Sequence, residues 1–444
     1  MPADSISLTA RVTRLIDDTR LVDPHTHLRL DQPSAPDLAS LMGYHWVQTE
    51  LKSVGMPEDA MSAEKHPTER VRNALPFLAA MRNTAMSWCL HRMLHDLYDF
   101  ADDRIDPGNC EALCERVAAA HQRPGWTREV LTQKARVDLF VTSLGNRSRG
   151  ADPAAAEAEL GAVTRYMLDA HYLFCPGVAT DLDPFFTGRH TKGEYHAALT
   201  QIFQAEPRDC AHLAALTGAW LDKVVTGQVR FTNTFLPIEK RFSKPDEAAV
   251  SRLLARTAGG VALGDAEVDV LANAVAWNVL AWHHENRKAF QIAVGAEYFI
   301  CGGKSIPRFE ANWSSEMARL FHTFPGARFD LMMASAPLSQ EMCVLARQFP
   351  NVSLAGHWWH NFFPDLITRE ASLRLQVTPM IKITAFLCDA YWVEWTYGKL
   401  QVIRRGLAKA LAGLVEDGFL REDALPEILT QILNQTPRTI YELD

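Results

Sequence analysis

Eight short apolar runs, at 21–28, 136–142, 172–178, 228–232, 290–294, 328–333, 351–355 and 382–388, punctuate this chain. Between them lie stretches with helical spacing, at 153–170, 193–225, 266–288, 312–323, 337–349 and 364–377. A strand that alternates with a helix predicts a parallel sheet, because parallel neighbours need a crossover. Eight such units predict closure as an α/β (β/α)8 TIM-type barrel. A further helix over 5–20, with Leu8, Val12, Leu15 and Ile16 as its apolar stripe, precedes the first strand. Residues 57–130 are helical throughout, with a long run over 68–97, which reads as a helical insertion within a single barrel domain spanning 1–444. With 48% hydrophobic and 22% charged residues, core material is ample for this.

Barrels of this kind keep their chemistry at the carboxyl ends of the strands. The first apolar run ends in Asp23-Pro24-His25-Thr26-His27, and residues two apart on a strand project to one face. Two imidazoles there can share a metal ion, although His-x-His also arises on ordinary strands. The last run ends in Asp389, where a buried carboxylate is costly unless something pairs with it. A divalent cation would pair with it; an N-cap for the helical stretch 392–400 is the other reading, and both can hold together. Two imidazoles and a carboxylate suit one divalent metal ion, zinc first, with manganese, cobalt or iron as alternatives.

Other function classes are excluded on composition. A formal net charge of −8 without long like-charged runs offers no basic patch for nucleic acid. No apolar run approaches the roughly 18 residues that span a bilayer, and the start of the chain has no secretory pattern, so a cytoplasmic location is expected. Of eight cysteines, Cys110 and Cys114 form the one close pair, without partners at zinc-site spacing, and scattered reduced thiols are expected.

Several segments together resemble the uronate (glucuronate) isomerases, a branch of the amidohydrolase superfamily. They are Asp23 to Leu28, the pair His45-Trp46, Gln291 to Gly295, the stretch Gly356-His357-Trp358-Trp359, and Leu387-Cys388-Asp389. The resemblance implies a metal-dependent aldose–ketose isomerase acting on a hexuronate or related sugar acid, in carbohydrate metabolism. It implies His25, His27 and Asp389 as metal ligands, Asp389 also as a proton carrier, and His45 at the sugar. Trp46, His357, Trp358 and Trp359 are candidate walls of the sugar pocket, the tryptophans equally readable as core or lid packing. A homo-oligomer is compatible with this reading.

The chain departs from the family where the reaction is carried. Trp46 stands in place of a tyrosine, and Tyr391 in place of an arginine that would grip a carboxylate. A phenol can still donate a proton, so Tyr391 is a catalytic candidate. Ala293 replaces a histidine on the fifth strand, and Val178 to Asp181 replace an Arg-Pro-Asp motif. Arg147, Arg189 or Lys304 could supply the missing cation, and Arg147 is the one taken as substrate-binding. The alternative function is a metal-dependent hydrolase or decarboxylase of the same superfamily, which the missing histidines on strands five and six disfavour. His91 and His95, at i and i+4 on one helix, read as packed or exposed helix histidines, and His283-His284, at a helix end, as capping or solvent-facing groups.

Overall fold

The computed structural model describes residues 6–146, 160–176, 192–297 and 305–444. Its centre is one parallel sheet of seven strands, in the order β1-β2-β3-β4-β5-β8-β9. These are β1 (Leu21–Thr26), β2 (Val137–Ser143), β3 (Thr164–Asp169), β4 (Val229–Leu236), β5 (Ala289–Val294), β8 (Arg328–Met333) and β9 (Val352–Leu354). Between β5 and β8 a small antiparallel ribbon, β6 (Ala296–Glu297) with β7 (Ile306–Pro307), stands apart from the sheet. The strands are buried on both faces, as expected for a parallel sheet covered by helices.

The expected eighth strand, 382–388, is not a regular strand. A 3-10 turn at Met380–Lys382 leads into irregular chain that pairs through single contacts on both flanks. Ile383 bridges Leu354, and Thr384 N–H donates to the Leu354 carbonyl at 2.8 Å. On the other flank Asp389 N–H donates to the His25 carbonyl and His27 N–H to the Ala390 carbonyl, each at 2.9 Å. The segment 383–390 thus touches both edge strands, β9 and β1, without a continuous ladder to either.

The third strand also differs from the sequence reading. It is Thr164–Asp169, inside the stretch expected to be helical, while His171–Phe174 form a helical turn where a strand was expected. Tyr166, Met167 and Leu168 are buried in succession, and a short apolar run buried on both faces carries no alternation to separate strand from helix.

Helices follow the expected stripes closely. Leu8–Asp18 buries Val12 and Ile16. Pro67–Leu78 and Ala85–Tyr98 replace the single run over 68–97, because the chain turns at Ala79–Met81 and restarts at Thr84, whose hydroxyl caps Ser87 N–H at 3.1 Å. The long helix Val393–Glu416 lies against Ala85–Tyr98. The two backbones approach closely because residue 398 is glycine: a Cβ there would come within 2.6 Å of Met93 Sδ and 2.8 Å of Cys89 Sγ.

Inside the sheet, at the amino ends of the strands, Val22, Leu139, Val141, Met167, Phe231 and Ala289 form an apolar cluster with Ile440, Tyr441 and Leu443. The last helix, Thr436–Tyr441, therefore seals that end, and the opposite end carries the polar groups described next.

Candidate metal centre

β1 delivers His25 and His27 to the carboxyl end of the sheet, and the irregular segment after Ile383 delivers Asp389. His27 Nε2 lies 3.0 Å and His25 Nε2 3.4 Å from the same carboxylate oxygen, Asp389 Oδ1. Among the described residues this is the one group of three acidic, thiol or imidazole side chains able to share a metal ion.

His25 shows how its ring is set. Its Nδ1 meets Gln291 Oε1 at 2.6 Å, and since an amide oxygen only accepts, Nδ1 carries the proton and the Nε2 lone pair faces the carboxylate. That Nε2 is fully buried and makes no hydrogen bond, an expensive state for a bare imidazole and the ordinary state of a metal ligand. Ligand atoms that share one ion at about 2 Å each stand at separations of this order. The residues therefore fit a divalent metal.

Burial alone would raise the Asp389 carboxyl; the His27 imidazole and the Lys399 ammonium outweigh it and hold it well below the usual carboxylate range. Asp389 is thus an anion before any ion arrives. Its backbone is left-handed, φ 51°, a region that costs a residue with a side chain. Asp23 braces this turn from β1: its Oδ1 accepts from Cys388 N–H at 3.1 Å and from His25 N–H at 3.4 Å. Its own carboxyl is pushed up to about 6 by burial, against those hydrogen bonds.

Beside these three residues stands Tyr391, and His45 and Trp46 continue from it in a line of ring contacts. Tyr391 packs its ring 5.6 Å from His27 and 5.5 Å from His45. His45 opens the helix His45–Ser53, and burial, with Lys399 nearby, pushes its imidazole down to about 3, so it stays neutral. Trp46 meets Trp359 edge to face at 5.4 Å, and Trp358 packs at 5.4 Å on Phe235. Ala293 joins Met332, Ala334, Ala355, Trp358 and Leu387 in one apolar cluster, so that flank is dry. The β2–β4 flank is polar: Asn233 donates to Asp169 Oδ1 at 2.9 Å, and Ser143 donates to the other carboxylate oxygen.

The computed structural model superposes on solved uronate isomerases over nearly its whole length. That from Thermotoga maritima matches with a TM-score of 0.79, at 14% identity over 98% of this chain and 97% of the other. Glucuronate isomerase from Caulobacter crescentus gives 0.79 at 16% identity, covering 100% and 96%, and a uronate isomerase from Bacillus halodurans gives 0.71 at 16%, covering 99% and 98%. The fold is that of the uronate isomerases. No family model and no curated protein sequence matches the chain, so the uronate isomerase likeness lies in the arrangement of the backbone.

Not every sequence candidate stands at the ligands. His357 Nδ1 lies 3.4 Å from Glu370 Oε2, and His360 Nδ1 lies 2.9 Å from Glu370 Oε1, with Arg374 3.3 Å from the same carboxylate. His283 is fully buried, Nε2 2.9 Å from Thr232 Oγ1, and so neither caps its helix nor faces solvent. His91 Nδ1 bonds the Ser87 carbonyl at 2.9 Å and His95 lies beside Asp96, each occupied within or next to its helix. Arg147, Arg189, Lys304 and the 178–181 stretch lie outside the described residues.

Sequence reasoning missed four contributors: Lys399, Tyr44, Tyr441 and Gln291 as the partner of His25. Lys399 left a trace, a charge at a position that the periodicity of Trp395, Val402 and Ile403 marks as apolar.

Proposed function

We propose that the chain is a metal-dependent aldose–ketose isomerase acting on a hexuronate or related sugar acid, a divergent relative of the uronate isomerases. The observation that carries this reading is the set His25, His27 and Asp389, with a buried unpaired Nε2, on that fold. We propose further that 383–390 completes the barrel in place of a regular eighth strand, that the chain is one barrel domain with 57–130 inserted in it, and that the protein works in the cytoplasm.

A divalent ion held by these three residues, zinc in our reading, would orient substrate oxygens and polarise them. The rest falls to the chain. Isomerisation moves a proton from C2 to C1 of the sugar through an enediol, with a second proton exchanged between the two oxygens. The Asp389 carboxylate is assigned the transfer of the carbon-bound proton. The Tyr391 phenol, beside His27 and His45, is placed to exchange the oxygen-bound proton. His45, kept neutral, can hydrogen-bond a hydroxyl in either sense. Trp46 and Trp359 offer ring faces to the C–H face of a sugar, with His357 and Trp358 behind them, and Arg147 is assigned to the substrate carboxylate.

The test is direct. Purified protein supplied with zinc or manganese and a panel of aldohexuronates should form the corresponding ketoses, followed by proton NMR with exchange of the C2 proton. The His25→Ala variant should hold less than a tenth as much metal and show no turnover. Failure of the wild type on every uronate would sink the reading. Hydrolysis or decarboxylation is the weaker reading, since Ala293 and Met332 occupy the ends of β5 and β8 where such sites would need imidazoles.

A further inference from the structure

Lys399 is a lysine without water. It is 1% exposed, on the buried side of Val393–Glu416, and its Nζ lies 5.1 Å from the centre of the Tyr44 ring and 5.3 Å from that of Phe362. Its Nζ donates to the backbone carbonyl of Asp389 at 2.9 Å. The Tyr44 hydroxyl donates to the same carbonyl at 3.2 Å. An ammonium kept in such surroundings is costly, and a helix position of this kind accepts any apolar side chain of like length.

The carbonyl it grips belongs to the one ligand whose backbone is left-handed. At φ 51° an aspartate holds its conformation when the surroundings determine it. Asp389 N–H is fixed by the His25 carbonyl at 2.9 Å and its C=O by Lys399 and Tyr44. Both ends of the residue are therefore tied, and the Cα–Cβ bond that aims the carboxylate at His25 and His27 has no freedom left. The two groups that tie the carbonyl lie far apart in sequence, Lys399 within Val393–Glu416 and Tyr44 at the N-cap of His45–Ser53, so the arrangement is not a by-product of one local turn.

We propose that Lys399 and Tyr44 are positioning residues for the metal ligand Asp389: together they clamp its carbonyl, hold the left-handed turn and so set the carboxylate against His25 and His27. This rests on the metal reading given above. Neither residue need touch substrate.

The experiment is a cobalt(II) titration of the full chain, read by the visible absorption of the bound ion and by chelator competition. It runs beside thermal unfolding of the metal-free protein. Lys399→Met keeps the length of the side chain and removes the charge and the donor. It should weaken cobalt binding by about 10- to 100-fold, the range of outer-shell substitutions at metal sites, and shift the absorption band while metal-free unfolding stays cooperative. Tyr44→Phe removes one hydroxyl and should shift both readouts in the same direction by a smaller factor, which decides the matter if Lys399→Met does not fold. Wild-type affinity and spectrum in both variants would overturn the proposal while leaving the metal site standing. A wild type that takes up no cobalt would overturn the metal reading, and this proposal with it.

Discussion

His283, on the last turn of the helix Asp265–Asn286, sets its ring 5.1 Å from Phe290 and gives Nε2 to Thr232 at 2.9 Å. Burial, with Lys288 nearby, pushes its imidazole down to about 3 from an ordinary 6.5. Between those two values the unfolded chain binds a proton that the folded chain refuses. Stability must therefore fall as pH drops below 6.5, by up to about 1.4 kcal/mol per pH unit from this one group. In urea denaturation at pH 7 and pH 5, His283→Asn should lose about 2 kcal/mol less between the two than the wild type. An unchanged pH dependence would reject this account. The residue was misread because polar Glu285, Asn286 and Arg287 follow it; its own place, four after Val279 and three after Leu280, puts it on the buried face. His25, His27 and Asp389, which the structure brings together, stood out for the opposite reason. Two histidines on one strand face and a terminal aspartate are each unusual at apolar run ends, whereas Lys399 and Tyr44 meet the Asp389 carbonyl from 10 and 345 positions away, a convergence that no local pattern marks.

At the scale of elements, what holds the carboxyl ends of β8 and β9 in place is an ion network on Pro364–Val377. Arg374 donates to the Ala355 carbonyl at 2.7 Å and lies 3.3 Å from Glu370, which also takes Ser339 Oγ at 2.7 Å and faces His357 and His360. All these charges are buried. Burial alone would raise the Glu370 carboxyl, and the two histidines and Arg374 reverse that, holding it well below the carboxylate range. Glu370→Ala should cost about 3–5 kcal/mol in chemical denaturation, because it leaves the buried Arg374 guanidinium without its counter-charge. A loss below about 1 kcal/mol would show that water reaches the gap. Helices such as this were legible from their stripes, and so were β1, β2, β4, β5, β8 and β9 from apolar runs bounded by polar turns. β3 was not, since its residues continue a pattern with helical content and are buried on both faces. The eighth run failed as a strand because it meets β9 and β1 through a few single hydrogen bonds, which no local periodicity encodes.

At the scale of the whole molecule, the two ends of the sheet are joined through its interior. Gln291, whose Oε1 accepts from His25, gives Nε2 to the Tyr441 hydroxyl at 2.5 Å, and that hydroxyl donates in turn to Asp330. Burial pushes the Asp330 carboxyl up to about 7, so near neutral pH the chain of bonds ends on a group shared between acid and anion. Tyr441 belongs to the helix that seals the amino end, so docking of the last residues reaches His25 at the far end. A helix that merely plugged the sheet would need no hydroxyl there: the ring of Tyr441 already lies 4.1 Å from Phe231. Tyr441→Phe keeps that contact and removes the bond that orients Gln291 on His25. It should weaken cobalt binding by about 10-fold or more, as outer-shell losses do, with the sheet intact by circular dichroism. If affinity holds while unfolding shifts to lower temperature, the hydroxyl serves the plug and not the ligand, and the site's orientation is set within the carboxyl end alone.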